Sequence, residues 1–334
     1  MNNLCTITMR AGSKGYNIFL IGLGNIGFRH LQALMKLNKK ANIFLIENNS
    51  NNLKQVKKKI INNNKKLKLY FYSKIPKIDY VIDSAIISTN ADVRYSIIRD
   101  LIKKNKVKNL IIEKFAFQKK IHFKKILFLL KKNRTRAYVN CPRRMFPDYK
   151  KIKNSLTKND QINMTVSYSN WNLASNSIHF LDLFNYLVGK KPLKIVYNNF
   201  KKNIVKSKKK GFIELKGIIV LESNNGDRLI LNDTNINPTI GGIWIESKNY
   251  SYLIYETEEK MICYNKNKLQ FSEKKFTFMK QSNMTNILIN NLFNKNKIDL
   301  ITLKESYILH AMLIDIFKKN LKNNKLYSNS LPIT

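Results

Sequence analysis

Residues 16–34 read YNIFLIGLGNIGFRHLQAL, a buried-type strand that runs into Gly22, Gly24 and Gly27 and then into a helical pattern. Strand, tight turn and helix are the context in which G-x-G-x-x-G marks a dinucleotide site. Gly22 permits the turn, Gly24 lets the main chain approach a pyrophosphate, and Gly27 lets the helix pack close to the sheet. The start of the helix then offers free N–H groups and a partial positive charge to phosphates. With only 11 glycines in 334 residues, chance gives this spacing in roughly 1% of such chains. A second strand ends in front of Glu47, where an acid accepts hydrogen bonds from the adenosine ribose. The plainer reading of Glu47 is a solvated carboxylate at a strand end. A carboxylate in the ribose role repels a 2′-phosphate, so NAD is favoured over NADP. Arg29, within reach of a phosphate, keeps NADP as the minority reading.

The formal net charge of +40 invites a nucleic-acid reading. Composition argues against it: 52 Lys stand against 9 Arg, beside 46 Asn and only 9 Ala, as an AT-rich coding sequence gives. The lysines are spread along the chain, whereas sites that read bases enlist Arg for its planar fork. Runs at 57–59 and 208–210 read as solvated faces or loops. The surplus attracts anions generally and is strongly salt-dependent. Cys5, Cys141 and Cys263 are odd in number and lack C-x-x-C spacing, so neither a disulfide framework nor a metal site is expected, and a reduced, cytoplasmic compartment fits. No apolar run reaches the ~18 residues that span a membrane. Residues 1–15 lack a signal-peptide core and read as a short extension.

Strand patterns at 16–21, 42–46, 67–72, 80–88, 109–112 and 136–140 alternate with helical patterns at 25–38, 50–64, 91–104 and 118–133. Such alternation predicts a doubly wound parallel sheet covered on both faces, a Rossmann domain over 16–140. Beyond residue 140 the pattern changes. Helices are expected at 144–156 and 174–187 and strands at 161–170, 193–200, 212–222, 228–234, 242–248, 251–256, 260–264 and 268–272. Asn225-Gly226-Asp227 makes a hairpin turn, and 201–211 is the loop most expected to move. Helices at 281–294 and 302–321 complete the chain, placed to pack back on the first domain. The second domain, 141–325, is thus an α+β unit with a large, mostly antiparallel open sheet, serving substrate and oligomer contacts. An uncovered sheet face favours a dimer or tetramer.

Ligands of a doubly wound sheet bind beyond the carboxyl ends of its strands. Ser88-Thr89-Asn90 follows the fourth strand and is placed either to face the cofactor or to cap a helix at Asn90. Glu113-Lys114 follows the fifth; a lysine there serves in proton transfer if burial lowers its pKa. Arg143-Arg144 stands out in an Arg-poor chain, either as a planar fork for a substrate anion or as a salt bridge at the domain boundary. On the helix after Trp171, Ser175, His179 and Asp182 fall at i, i+4 and i+7 on one face. Asp182 is spaced to orient the imidazole of His179; a satisfied structural histidine is the commoner alternative.

GLGNIGFRH, the strand ending in Glu47, STNADVR, EKF, RRMFP and SIHFLDLFNYLVG resemble, in this order, the glucose–fructose oxidoreductase, inositol dehydrogenase and rhizopine-catabolism (Gfo/Idh/MocA) family across about residues 16–320. The resemblance implies NAD(P)-dependent oxidation or reduction of a sugar, nucleotide sugar or cyclitol, and the NWNLASNSIHF version is most similar to members found with bacterial surface-carbohydrate genes. It implies catalytic Lys114 and His179. It sets the cofactor against Gly22, Gly24, Asn25, Ile26, Gly27, Glu47, Ser88, Thr89, Asn90 and Glu113, and the substrate against Arg143, Arg144, Trp171, Ser175, Asn176 and Asp182. The chain departs from the family's E-K-P at Phe115 and from its D-x-x-x-H at Ser175. These departures motivate the alternative of a catalytically degenerate NAD-binding regulatory protein.

Overall fold

The computed structural model describes residues 15–60, 64–157, 160–201, 204–234, 241–322 and 331–334; the extension at 1–14 lies outside them. The apolar runs of the first half form β1 (Tyr16–Ile21), β2 (Ala41–Ile46), β3 (Leu67–Tyr72), β4 (Ser84–Ile87), β5 (Asn109–Ile112) and β6 (Arg136–Val139). Every residue of β2, β4 and β5 is buried, as strands covered on both faces require. The connecting helices are α1 (Asn25–Leu34), α2 (Ser50–Lys59), α3 (Ala91–Lys104) and α4 (Lys120–Lys132). Strand pairing is parallel in the order β6-β5-β4-β1-β2-β3. The order reverses between β1 and β4, and that switch point is where a doubly wound sheet opens a crevice.

The second half contributes α5 (Pro147–Ser155), β7 (Asn163–Ser169), α6 (Leu173–Leu187), β8 (Leu193–Phe200), β9 (Val205–Lys206), β10 (Ile213–Glu214), β11 (Gly217–Ser223), β12 (Arg228–Thr234), β13 (Gly242–Glu246), β14 (Tyr250–Tyr255), β15 (Lys260–Asn265), β16 (Gln270–Lys275), α7 (Thr285–Lys295), β17 (Ile301–Thr302) and α8 (Leu303–Leu321). Eight of these strands form one sheet, β16-β15-β14-β13-β7-β12-β11-β8. Its pairs are antiparallel except β7–β12. The expected fold class, a Rossmann domain joined to a mostly antiparallel open-sheet domain, is borne out. One face of the large sheet is buried through Met164, Val166, Ile219, Leu221, Leu229, Leu231, Ile243 and Ile245, each contributing about 1.5–3 kcal/mol on burial.

Later segments return to the first domain. β17 adds an antiparallel strand beside β6. Leu288, Ile289 and Leu292 of α7 join a core with Ile18, Leu31 and Leu34.

Local departures from the sequence reading have local causes. The expected strand 80–88 shortens to β4, with Ile82 bridging Val107 alone; the Asp83 carboxylate accepts the Asn17 N–H at 2.9 Å, so a side chain takes the ladder position. The helix expected at 144–156 splits into a 3-10 turn, Pro142–Met145, and α5, because Pro147 holds Phe146 in an extended conformation. The C-terminal helix expected from 281 starts as a separate 3-10 turn, Gln281–Asn283, before α7. Within the segment 201–211, Val205 and Lys206 form β9 and pair with β10; residues 202 and 203 lie outside the described residues.

Candidate functional site

The glycine turn is built as its spacing implies. Gly22 has φ +90°, and a Cβ there meets Thr89 at 2.8 Å. A Cβ on Gly27 lies 1.9 Å from the Gly22 carbonyl oxygen, so only glycine lets α1 close on the turn. Nothing lies within 4 Å of a Cβ on Gly24, which leaves the main chain approachable, and no side chain caps α1. Asn25 and Ile26 open that helix, and Ile26 lines the adjoining cleft. A bare turn feeding an uncapped helix start fits a dinucleotide diphosphate. Ser88 secures the arrangement by donating to the carbonyls of Gly22 at 2.7 Å and Ile21 at 3.1 Å.

Glu47 is buried and not the solvated carboxylate of the plainer reading. Its oxygens accept from the Leu23 N–H at 2.7 Å, the Asn49 N–H at 2.9 Å and the Asn52 amide at 3.0 Å. A carboxylate offers about four acceptor positions, so one remains for a ribose hydroxyl.

On the other side of the glycine turn lies a cleft of about 670 Å³, within the range of ligand sites. Ser88, Thr89, Glu113, Lys114, Arg143 and His179 line it, with Phe146, Phe278 and Met279 as apolar wall. Lys114 projects from the end of β5, and its Nζ donates to Asn176 Oδ1 at 2.7 Å and the Ser175 carbonyl at 3.3 Å on α6. Ser175 is itself buried and donates its N–H to Glu214 at 3.1 Å. Burial lowers the Lys114 pKa to about 8, and the nearby charge of Lys209 adds to the lowering while Glu113 and Glu214 oppose it. The peptide between Lys114 and Phe115 is cis.

Glu113 lines the cleft, but its carboxylate is held from behind. His30 Nε2 bonds it at 2.9 Å and the Asn140 amide donates to the same oxygen. Burial pushes this carboxyl up; the His30 and Asn140 hydrogen bonds, with the charges of His30 and Arg94, outweigh it and hold the pKa below the usual value.

The α6 cluster is sorted differently from its spacing. His179 faces the cleft, its Nδ1 buried without a hydrogen-bond partner. Burial, then the charges of Lys114 and Arg143, hold its pKa well below the usual range, so the ring is neutral. Asp182 does not orient it. Asp182 is fully buried and bound by both Nε, at 3.0 Å, and Nη2 of Arg144, because a carboxylate in an apolar core takes the strongest available cation. Arg143 in turn forks onto Glu256 at 2.7–3.2 Å and stacks over Phe180. Each arginine thus holds a carboxylate, as the salt-bridge alternative has it, and Arg143 also lines the cleft. Arg144 and Asp182 lie outside the cleft lining, as do Trp171, whose Nε1 donates to the Asn232 carbonyl at 2.9 Å, and Ser175. Asn90 occupies the N-cap position of α3, yet its side chain makes no capping bond and accepts from Lys209 instead.

Arg94 went unassigned in the sequence. It is buried, and its guanidinium donates to the carbonyls of Glu113 at 2.7 Å, Phe115 at 2.5 Å, Ala116 at 3.1 Å and Thr89. Burial lowers its pKa to about 10. It therefore fixes the two loops that carry the site. An arginine at the 91, 94, 98, 101 spacing of an apolar helix face was the available signal.

Residues 16–140 match the model of the Gfo/Idh/MocA family, an oxidoreductase family with an NAD-binding Rossmann fold. Comparison with curated proteins gives no match. Among solved structures the chain is similar to a dehydrogenase (MviM) from Clostridium difficile, at 17% identity and TM-score 0.70, covering 92% of this chain and 100% of that one. An oxidoreductase from Agrobacterium radiobacter, in complex with NAD+, L-tartaric acid and magnesium, aligns at 13% identity, TM-score 0.71, over 93% and 97%. The WlbA dehydrogenase from Bordetella pertussis, in complex with NADH and UDP-GlcNAcA, aligns at 15% identity, TM-score 0.66, over 90% and 95%. The first domain of this chain is the NAD-binding Rossmann domain of the Gfo/Idh/MocA oxidoreductase family.

Proposed function

We propose that this chain, built on that NAD-binding domain, is an NAD-dependent oxidoreductase acting on a CH–OH group of a sugar, nucleotide sugar or cyclitol. The observation that carries the reading is a lysine with its pKa lowered to about 8, at the carboxyl end of β5, facing a cleft beside a glycine turn fit for a dinucleotide. When bound, the cofactor supplies the nicotinamide carbon that accepts or returns a hydride. The Gly24 main chain and the first turn of α1 hold its diphosphate, and Glu47 its adenosine ribose. Lys114 takes the hydroxyl proton during oxidation and returns it during reduction, its lowered pKa matching that task near neutral pH. His179, neutral and with an unpartnered Nδ1, aligns the same hydroxyl. Phe146, Phe278 and Met279 keep water from the reacting carbon. The UDP-GlcNAcA bound by the Bordetella dehydrogenase supports nucleotide sugars within the class, and with them a role in surface-carbohydrate synthesis.

The test is calorimetric titration with NAD+ and NADH at low ionic strength, followed by a cofactor-reduction screen over free sugars, cyclitols and nucleotide sugars. Saturable binding and turnover of at least one compound are expected. Lys114→Ala lowers kcat by about 10²–10⁴-fold and changes NADH affinity by no more than about twofold. Absence of binding, or a fully active Lys114→Ala protein, overturns the proposal.

A further inference from the structure

Lys209 sits in the middle of the 208–210 lysine run, a run that ordinarily extends into water. All three lysines are solvent-exposed, as a solvated loop requires, but the amine of Lys209 reaches across to the first domain. Its Nζ reaches from the β9–β10 connection of the second domain to Asn90 Oδ1 of the first, at 3.2 Å. The side chain lines the cleft that holds Lys114 and His179. Burial, then the charge of Arg94, lower its pKa from the usual lysine value. Its charge thus stands at the solvent-exposed rim of a concave site.

The charge balance of the cleft says what such a cation meets. Its lining carries the side chains of Arg29, Arg94, Lys114, Arg143, Lys209 and Lys280, against Glu113 as the one acidic side chain. Glu113 is taken by His30, Arg143 by Glu256, and Arg94 by main-chain carbonyls. Arg29 bonds the neutral Gln32 and Lys114 the neutral Asn176. Among the described residues, Arg29, Lys114, Lys209 and Lys280 form no ion pair with an acid. The diphosphate of a dinucleotide offsets part of this excess at the α1 end. Lys209 lies against Asn90 of the loop after β4, where a field focused by low-dielectric walls acts on whatever enters beside Lys114.

We infer that Lys209 binds a carboxylate or phosphate group of the substrate and so selects acidic substrates over neutral analogues. The inference rests on the oxidoreductase reading above and narrows its substrate class. An ammonium is a compact charge that suits either group, so a sugar acid and a phosphorylated or nucleotide-linked sugar share the same recognition chemistry. Arg143 and Arg144, the obvious anion ligands in the sequence, do not fill the role because each already holds a carboxylate.

The experiment titrates the NADH-bound protein with gluconate, glucose 6-phosphate, UDP-glucose, glucose and myo-inositol. Wild type, Lys209→Met and Lys209→Arg are compared by calorimetry. At least one acidic probe binds wild type about tenfold or more tighter than glucose, Lys209→Met removes that preference, and Lys209→Arg retains most of it. A preference for gluconate assigns the carboxylate; one for the phosphorylated probes assigns phosphate. Equal binding of acidic and neutral probes, or an equal loss for both in Lys209→Met, overturns the inference. So does a variant that loses NADH affinity with no selective loss for acids, which places Lys209 on the cofactor. Failure of wild type to bind NADH at all is the separate failure of the oxidoreductase reading, and the inference falls with it.

Discussion

Glu47 and Lys114 show how one side chain's surroundings set its chemistry. Three donors fix the Glu47 carboxylate; in the proposed role it meets a ribose in one orientation and repels a 2′-phosphate. Glu47→Ala is expected to weaken NAD by about tenfold or more and to relax the preference against NADP; dissociation constants for both cofactors check this. Lys114 accepts a proton only when neutral. Because burial lowers its pKa to about 8, kcat/KM for oxidation rises with pH through about 8 and then levels. Lys209 adds to that lowering, so Lys209→Met moves the rise to higher pH; pH profiles of both proteins decide it. A rise that stays in place separates Lys209 from the electrostatics of Lys114.

At the scale of elements, one polar chain holds the glycine helix to the C-terminal part of the molecule. His30 of α1 bonds Glu113 after β5 and Thr285 of α7 at 2.8 Å, and Gln281 bonds Thr285 at 2.8 Å and accepts from Asn140 at 2.9 Å. His30→Leu leaves the Glu113 carboxylate buried with one donor fewer, and a loss of about 2–4 kcal/mol is expected in denaturant unfolding. Sequence reading reached the elements here but not the link. All-apolar strands and the glycine turn are local signals, legible because each residue's neighbours along the chain decide its role. His30 and Arg94 sit on apolar helix faces and find partners far away along the chain, at Thr285 for the one and at Glu113 to Ala116 for the other, and no local pattern reports a partner. The pairing of Arg144 with Asp182 escaped for the same reason: helical spacing puts Asp182 near His179, and tertiary packing brings a stronger partner. Pro147 was a legible break in the helix expected at 144–156, and its effect on Phe146 follows from its ring alone.

For the whole molecule, the second sheet presents an uncovered row in direct cross-strand register: Tyr197, Val220, Ile230, Thr165, Trp244, Leu253 and Ile262. Trp244 is 52% exposed and Tyr197 49%. An apolar face of this kind favours burial against a second copy of the chain. Sedimentation is expected to show a dimer or larger species for wild type and a shift toward monomer for Trp244→Glu, with NADH binding retained. An unchanged distribution removes this face as the interface. A last consequence belongs to Arg94, which gathers the carbonyls of Thr89, Glu113, Phe115 and Ala116 onto one guanidinium. Both loops on that wall share a single rivet, so the Rossmann side of the mouth is an anvil that does not yield. Any breathing of the entrance is therefore expected in the ribbon bearing Lys209, and hydrogen exchange checks this: deuterium is expected to enter amides 207–212 well before amides 113–116.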